Sequence, residues 1–157
     1  MLGRLLNPSF RLAGRSLLLV DLPSEAREQL ATALRNEGAD VTTCASAWEA
    51  LLALQLETYS AVITRLDLAP RDGFWLLARA RAEAHAFPES AALPFVALTP
   101  CDGAGARALM AGFAASCNLR EAPEALVQQL ASALPPDPLA ALAQEAAAAK
   151  LASRSAI

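Results

Sequence analysis

Apolar residues fall along this chain in two alternating patterns. Short continuous runs suit strands buried on both faces, and Ser16-Leu17-Leu18-Leu19-Val20-Asp21 is the first of them. Between them lie longer stretches with helical spacing. The first opens at the capping residue Ser24 and runs to about Asn36, with Ala26, Leu30, Ala33 and Leu34 on one face. Gly38 stands where a C-terminal glycine stops a helix. Residues 41–44 make a second strand. Ser46-Ala47-Trp48-Glu49 is a capping box, and the helix it opens is expected to turn Trp48, Leu51, Leu52 and Leu56 inward. Residues 61–64 form a third buried strand. A loop containing Pro70 and Gly73 leads into a helix through Phe74, Leu77 and Ala78. Pro88 and Pro94 bracket a connector, and Phe95-Val96-Ala97-Leu98-Thr99 is the fourth strand. Residues 104–111 read as helix stopped by Gly112, residues 114–117 as a weaker fifth strand, and residues 123–134 as a fifth helix.

Five alternations of strand and helix predict an α/β fold, a doubly wound five-stranded parallel sheet with helices on both faces. Such sheets bind ligands at the carboxyl ends of their strands, which directs attention to Asp21-Leu22, Arg65, Thr99 and Leu119. Three units follow: an N-terminal extension over residues 1–15, a body over 16–134, and a Pro-rich hinge with an Ala-rich helix over 135–157. Pro135, Pro136 and Pro138 break the chain after the fifth helix. The helix beyond them carries Leu139, Leu142 and Leu151 as its apolar anchors, either for a partner or along a solvated extension.

Composition narrows the functional classes. Of 157 residues, 55% are hydrophobic and 18% charged, a balance that excludes disorder. The net charge of -3 gives no basic stripe for nucleic acid. No stretch approaches the length of a membrane span, and no apolar segment precedes Arg15 as a secretory leader would require, so a cytoplasmic location is expected. The three cysteines, Cys44, Cys101 and Cys117, have no metal-ligand spacing and read as reduced thiols. Lys150 is the one lysine of the chain.

With these elements in order, residues 16–134 resemble the receiver domain of bacterial two-component response regulators, in a degenerate, pseudo-receiver form. Leu17-Leu18-Leu19-Val20-Asp21 is similar to the family's first strand with the first of its paired acidic residues. Asp72-Gly73 resembles the opening of the third helix. Pro94-Phe95-Val96-Ala97-Leu98-Thr99 resembles the fourth strand with its switch hydroxyl, and Ala111-Gly112-Phe113 followed by Pro123-Glu124 resembles the entry to the fifth strand and helix. The resemblance implies a phosphoacceptor aspartate after the third strand, Mg²⁺ held partly by the acidic pair, and a lysine after the fifth strand. This chain departs at most of these positions. The second acid is Leu22, the acceptor position holds Arg65, the lysine position holds Leu119, and the aromatic switch position holds Ser116. Asp21 and Thr99 remain. A guanidinium is a permanent cation and no nucleophile, so the pocket is expected to repel Mg²⁺ and to pair Arg65 with Asp21.

Individual residues carry rival readings. Asp67 is either a surrogate acceptor in a shortened loop or a loop carboxylate in water. Arg120 either reaches back to the pocket or is solvated, and His85 reads as a surface residue. Gly103-Ala104-Gly105 lacks the rest of a phosphate-loop signature and reads as a helix start. Trp48 and Trp75 read as packing residues. The expected function is therefore a phosphorylation-independent, receiver-like signalling protein, not an enzyme and with no cofactor. It would act by protein–protein interaction in a two-component or related pathway. The alternatives are a phosphorelay receiver using Asp67 and an anion sensor at the vacated pocket. The family resemblance points to a docking face through Arg107, Met110, Phe113, Ser116, Glu124 and Gln128. The partner would be a kinase, regulator or output protein carrying the output activity, with a homodimer also possible, no nucleic acid and no membrane insertion.

Overall fold

The computed structural model describes residues 11–83, 93–100, 103–134 and Ala146. Ten elements alternate: β1 (Ser16–Val20), α1 (Glu25–Asn36), β2 (Asp40–Cys44), α2 (Ala47–Leu56), β3 (Ala61–Arg65), α3 (Gly73–Glu83), β4 (Phe95–Thr99), α4 (Gly103–Ala111), β5 (Ala115–Asn118) and α5 (Glu124–Ala133). The strands form one parallel sheet in the order β2-β1-β3-β4-β5, as the alternation required. The register sets Val20 beside Thr64 and Arg65 beside Leu98, so the carboxyl ends of β1, β3 and β4 are neighbours.

Side chains of a strand alternate between faces, and the core divides accordingly. Leu18, Val20, Val62, Phe95 and Ala97 face α2, α3 and α4, where Ala50, Leu51, Leu76, Leu77 and Ala108 meet them. Leu17, Leu19, Ile63, Val96 and Leu98 face α1 and α5, against Leu30, Leu34, Leu126 and Leu130. Both layers are apolar, which is why the strands read as continuous hydrophobic runs. Burial of this kind is worth about 25 cal/mol per Å² removed from water.

The helix boundaries follow local chemistry. Ser24 Oγ accepts from the Arg27 amide, and Ser46 Oγ accepts from the Glu49 amide. Glu49 reaches back to the Ala45 amide at 2.9 Å, completing the reciprocal cap one residue earlier than the sequence spacing implied. Asp72 caps α3 by accepting from the Trp75 amide at 2.8 Å. Gly73 is required by close approach, since a Cβ there would lie 2.5 Å from the Arg65 carbonyl oxygen. Gly38 and Gly112 both take positive φ, where the absence of a Cβ removes the steric cost.

Several expectations need correction. Trp48, Leu52 and Leu56 do not turn inward: Ala47, Ala50 and Leu51 hold the buried face of α2, leaving the three large residues on its outer side. In α1 Ala31 joins Leu30 and Leu34 on the buried face, whereas Ala26 is exposed. The long apolar residues misled because α2 is apolar nearly all round. Residues 11–15, assigned to an extension, are built into the body. Leu12 is fully buried, its amide donates to the Glu37 carbonyl, and Arg11 bridges Glu37 at 3.1 Å and Glu124 at 3.3 Å. The expectations for His85, Cys101, Leu139, Leu142, Lys150 and Leu151 fall outside the described residues.

Candidate functional site

The carboxyl edge of β1 and β3 carries the charged groups. Asp21 follows β1 directly and is 3% exposed, and its amide continues the ladder to the Cys44 carbonyl. Its Oδ1 accepts from the Leu22 amide at 2.7 Å. Arg65, the last residue of β3, places Nη1 3.6 Å from the same oxygen. The expected contact between these two residues is thus present.

Arg65 makes a stronger contact that the sequence reading did not anticipate. Its Nε donates to Asp67 Oδ1 at 3.0 Å and its Nη2 to Asp67 Oδ2 at 2.8 Å. Parallel bonds of this kind match the guanidinium fork to a carboxylate, and they fix both partners more tightly than a point contact would. Asp67 is therefore paired with Arg65, while its side chain stays more than half exposed. Arg65 and Asp67 stand two residues apart, with Leu66 buried between them.

The charges tune one another. Burial raises the Asp21 carboxyl above its ordinary value, opposed by the Leu22 amide and by the Arg65 and Arg27 cations. The hydrogen bonds from Arg65 hold Asp67 below the usual carboxylate range, and Asp67 in turn raises Arg65. Arg27 supports the site from α1, donating through Nη1 to the Asp21 carbonyl at 3.2 Å.

The remaining pocket positions lie apart from this cluster. The Thr99 hydroxyl is buried and donates to the Cys117 carbonyl at 3.3 Å. The Leu119 side chain packs against the α1–α5 layer, and its amide donates to the Thr99 carbonyl at 2.9 Å. Leu22 projects into solvent. Arg120 is exposed, with its amide held by the Asn118 side chain. At the aromatic switch position, Ser116 lies so close to α4 that a Cβ on Gly105 would come within 2.7 Å of its Oγ.

A Mg²⁺ ion does not fit this donor set. Mg²⁺ requires several oxygen ligands in near-octahedral array. Here one buried carboxylate is already bonded to an amide, Leu22 supplies no oxygen from its side chain, and a guanidinium stands 3.6 Å away. Among the described residues, no three His, Cys, Asp or Glu side chains gather as a metal site.

Of the six residues expected on a docking face, five have exposed or half-buried positions. Arg107, Glu124 and Gln128 are exposed, Ser116 is half-buried, and Met110 is 89% exposed beside the half-exposed Leu109. Phe113 must be removed from it. It is 3% exposed, with its ring edge-on to Phe74 at 5.9 Å and to Phe95 at 6.3 Å, so it belongs to the core under α3 and α4. Cys44 and Cys117 are buried free thiols, raised by burial from their ordinary range. Among the described residues, no helix is long and apolar enough to cross a membrane.

Comparison with known proteins places this geometry. No model of a known protein family matches the chain. A curated relative, an uncharacterized 14.6 kDa protein in the sodA1 3' region of Leptolyngbya boryana, is 34% identical over 131 residues, covering 80% of this chain and 97% of the relative. A candidate response regulator from Chloroflexus aurantiacus superposes with a TM-score of 0.67 at 28% identity, covering 75% of this chain and 95% of that one. The chemotaxis response regulator CheY4 of Vibrio cholerae gives 0.68 at 21% identity, covering 76% and 98%. The receiver domain of sensor histidine kinase PA1611 from Pseudomonas aeruginosa gives 0.65 at 24% identity, covering 76% and 96%; that structure has a magnesium ion coordinated in its active-site cleft. The sheet, its five flanking helices and their order are those of the flavodoxin-like receiver fold.

Proposed function

The chain belongs to the family of the 14.6 kDa Leptolyngbya boryana protein and carries the receiver fold, and from that premise we propose that it is a phosphorylation-independent receiver-like signalling protein. It acts in the cytoplasm, in a two-component or related pathway, and works by binding a protein partner, not by catalysis. The observation that carries this reading is the Arg65 fork on Asp67. A permanent cation stands where a phosphoryl-accepting carboxylate would be needed, and the one nearby exposed carboxylate is locked onto it. Nucleophilic attack by Asp67 would have to compete with its charge-assisted bonds to Arg65, in a pocket whose charge also opposes Mg²⁺. The same fork draws support away from an anion sensor, because an anion would have to compete with Asp67 for the Nε and Nη2 edge of Arg65.

Without phosphorylation the receiver body has one resting arrangement, which suits a docking platform. The candidate face joins Arg107, Met110, Ser116, Glu124 and Gln128. Met110 is its apolar centre, since a methionine this exposed gains most from burial by another protein. A kinase, regulator or output protein is the fitting partner. The test is capture of the native-cell partner on immobilised chain, with and without acetyl phosphate and Mg²⁺. Equal capture in both conditions, reduced by Met110→Asp, is expected. Capture that depends on the phosphodonor would contradict the reading.

A further inference from the structure

On the other side of the molecule from α5, helix α2 presents an apolar ridge that the docking face above does not use. Trp48, Leu52 and Leu56 recur every four residues along its outer side and are 50%, 56% and 74% exposed. Trp75 of α3 extends the ridge, its ring centroid 4.8 Å from that of Trp48. Such rows of side chains at four-residue spacing are the ridges that helices interdigitate when they pack. Three exposed large apolar residues in one row, flanked by the partly buried Trp75, are also more than the scattered exposure usual for a monomer surface.

We propose that this ridge is the interface of a homodimer, with the two-fold axis passing beside Leu52. The arrangement of charge selects a second copy as the occupant. Helices α2 and α3 run side by side in the same direction, joined at their N-terminal ends by the tryptophan pair. At their C-terminal ends Gln55 Nε2 donates to Glu83 Oε2 at 3.2 Å. The N-terminal end carries a cation, Arg71, whose guanidinium lies 5.5 Å from the Trp75 ring centroid. The C-terminal end carries the Glu83 carboxylate, which Arg79 approaches at 3.5 Å. An isologous, antiparallel pairing of two α2 ridges stacks α3 of one copy over α3 of the other, also antiparallel. Arg71 of each copy then meets Glu83 of its mate, at both ends at once. Trp48 of each copy covers Leu56 of the other, and the two Leu52 side chains meet at the axis. Glu49, the acidic residue beside the ridge, is held back by its bond to the Ala45 amide. This inference is independent of whether the chain accepts a phosphoryl group.

Sedimentation velocity over a concentration series tests it on the full chain. A monomer–dimer equilibrium is expected, converted to monomer by Leu52→Asp, with an unchanged circular dichroism spectrum because Leu52 is half exposed. Arg71→Glu and Glu83→Arg should each weaken the dimer several-fold, and the two combined should restore it. That charge swap keeps the test decisive if Leu52→Asp fails to fold. A chain that is monomeric throughout would overturn the proposal. So would a dimer that survives Leu52→Asp or is lost only on removal of residues 135–157, and so would a charge swap that fails to restore association.

Discussion

Replacing Arg65 by methionine keeps the length and apolar stem of the side chain and removes its charge. Asp21 would then be left buried with only the Leu22 amide and the more distant Arg27 to oppose its desolvation. At the observed 3.6 Å separation, two unit charges in an effective dielectric of about 20 interact by about 4–5 kcal/mol before solvation is counted. Losing one member of a fully buried pair costs about 3–5 kcal/mol. Arg65 keeps about a quarter of its side chain in solvent and the Leu22 amide stays in place, so the expected net loss at pH 7 is nearer ~2 kcal/mol. Asp67 is more than half exposed, so its separate share belongs to the surface scale, about 0.2–1 kcal/mol. The pH dependence identifies the cause. Burial raises Asp21 in the folded protein, so its charge costs stability above the folded pKa, and that cost vanishes as pH falls below the unfolded value of about 3.9. Removing Arg65 enlarges the cost, so the deficit of Arg65→Met should shrink between pH 7 and pH 4. It should also largely disappear in an Asp21→Asn background. Urea denaturation of the four members of this double-mutant cycle, followed by far-UV circular dichroism at several pH values, measures both effects. A deficit at pH 7 that persists unchanged at pH 4, or in the Asp21→Asn background, would refute the electrostatic account of the pocket.

Other expected outcomes follow from single contacts. Gly73→Ala should cost about 1–3 kcal/mol in urea denaturation, because its Cβ must displace backbone at Arg65 and not a flexible side chain. Gly105→Ala should destabilise by a similar mechanism against the Ser116 hydroxyl, and Ser116→Gly should relieve most of that loss in a thermal melt. Ser46→Ala removes the acceptor for the Glu49 amide and should cost about 0.5–2 kcal/mol by the same assay.

Much of the fold was legible because strands buried on both faces leave a strong trace. Five apolar runs separated by helix-length segments have few right-handed arrangements; the strand at 95–99 matches its run residue for residue, and the one at 16–20 ends one residue before Asp21. The orientation of α2 was not legible, because a helix with leucines on every side has no unique inner face. Its small residues, Ala47 and Ala50, are the ones that allow close approach to the sheet. Phe113 was misassigned because its neighbours in sequence are exposed, whereas its ring packs inward against Phe74 and Phe95. At the site, the substitutions Leu22, Arg65 and Leu119 could be read from spacing against the receiver pattern. The Arg65–Asp67 fork could not, since it depends on the turn after β3 bringing two side chains of nearby residues to the same side.

The central claim is that this receiver fold carries no working phosphoacceptor. Incubation of the full chain with acetyl phosphate and Mg²⁺ at neutral pH, followed at once by intact mass spectrometry, tests it most directly. The mass is expected to remain that of the unmodified chain over the whole time course, both for the native sequence and for Asp67→Asn. A mass gain of one phosphoryl group in the native chain that is abolished by Asp67→Asn would contradict the account.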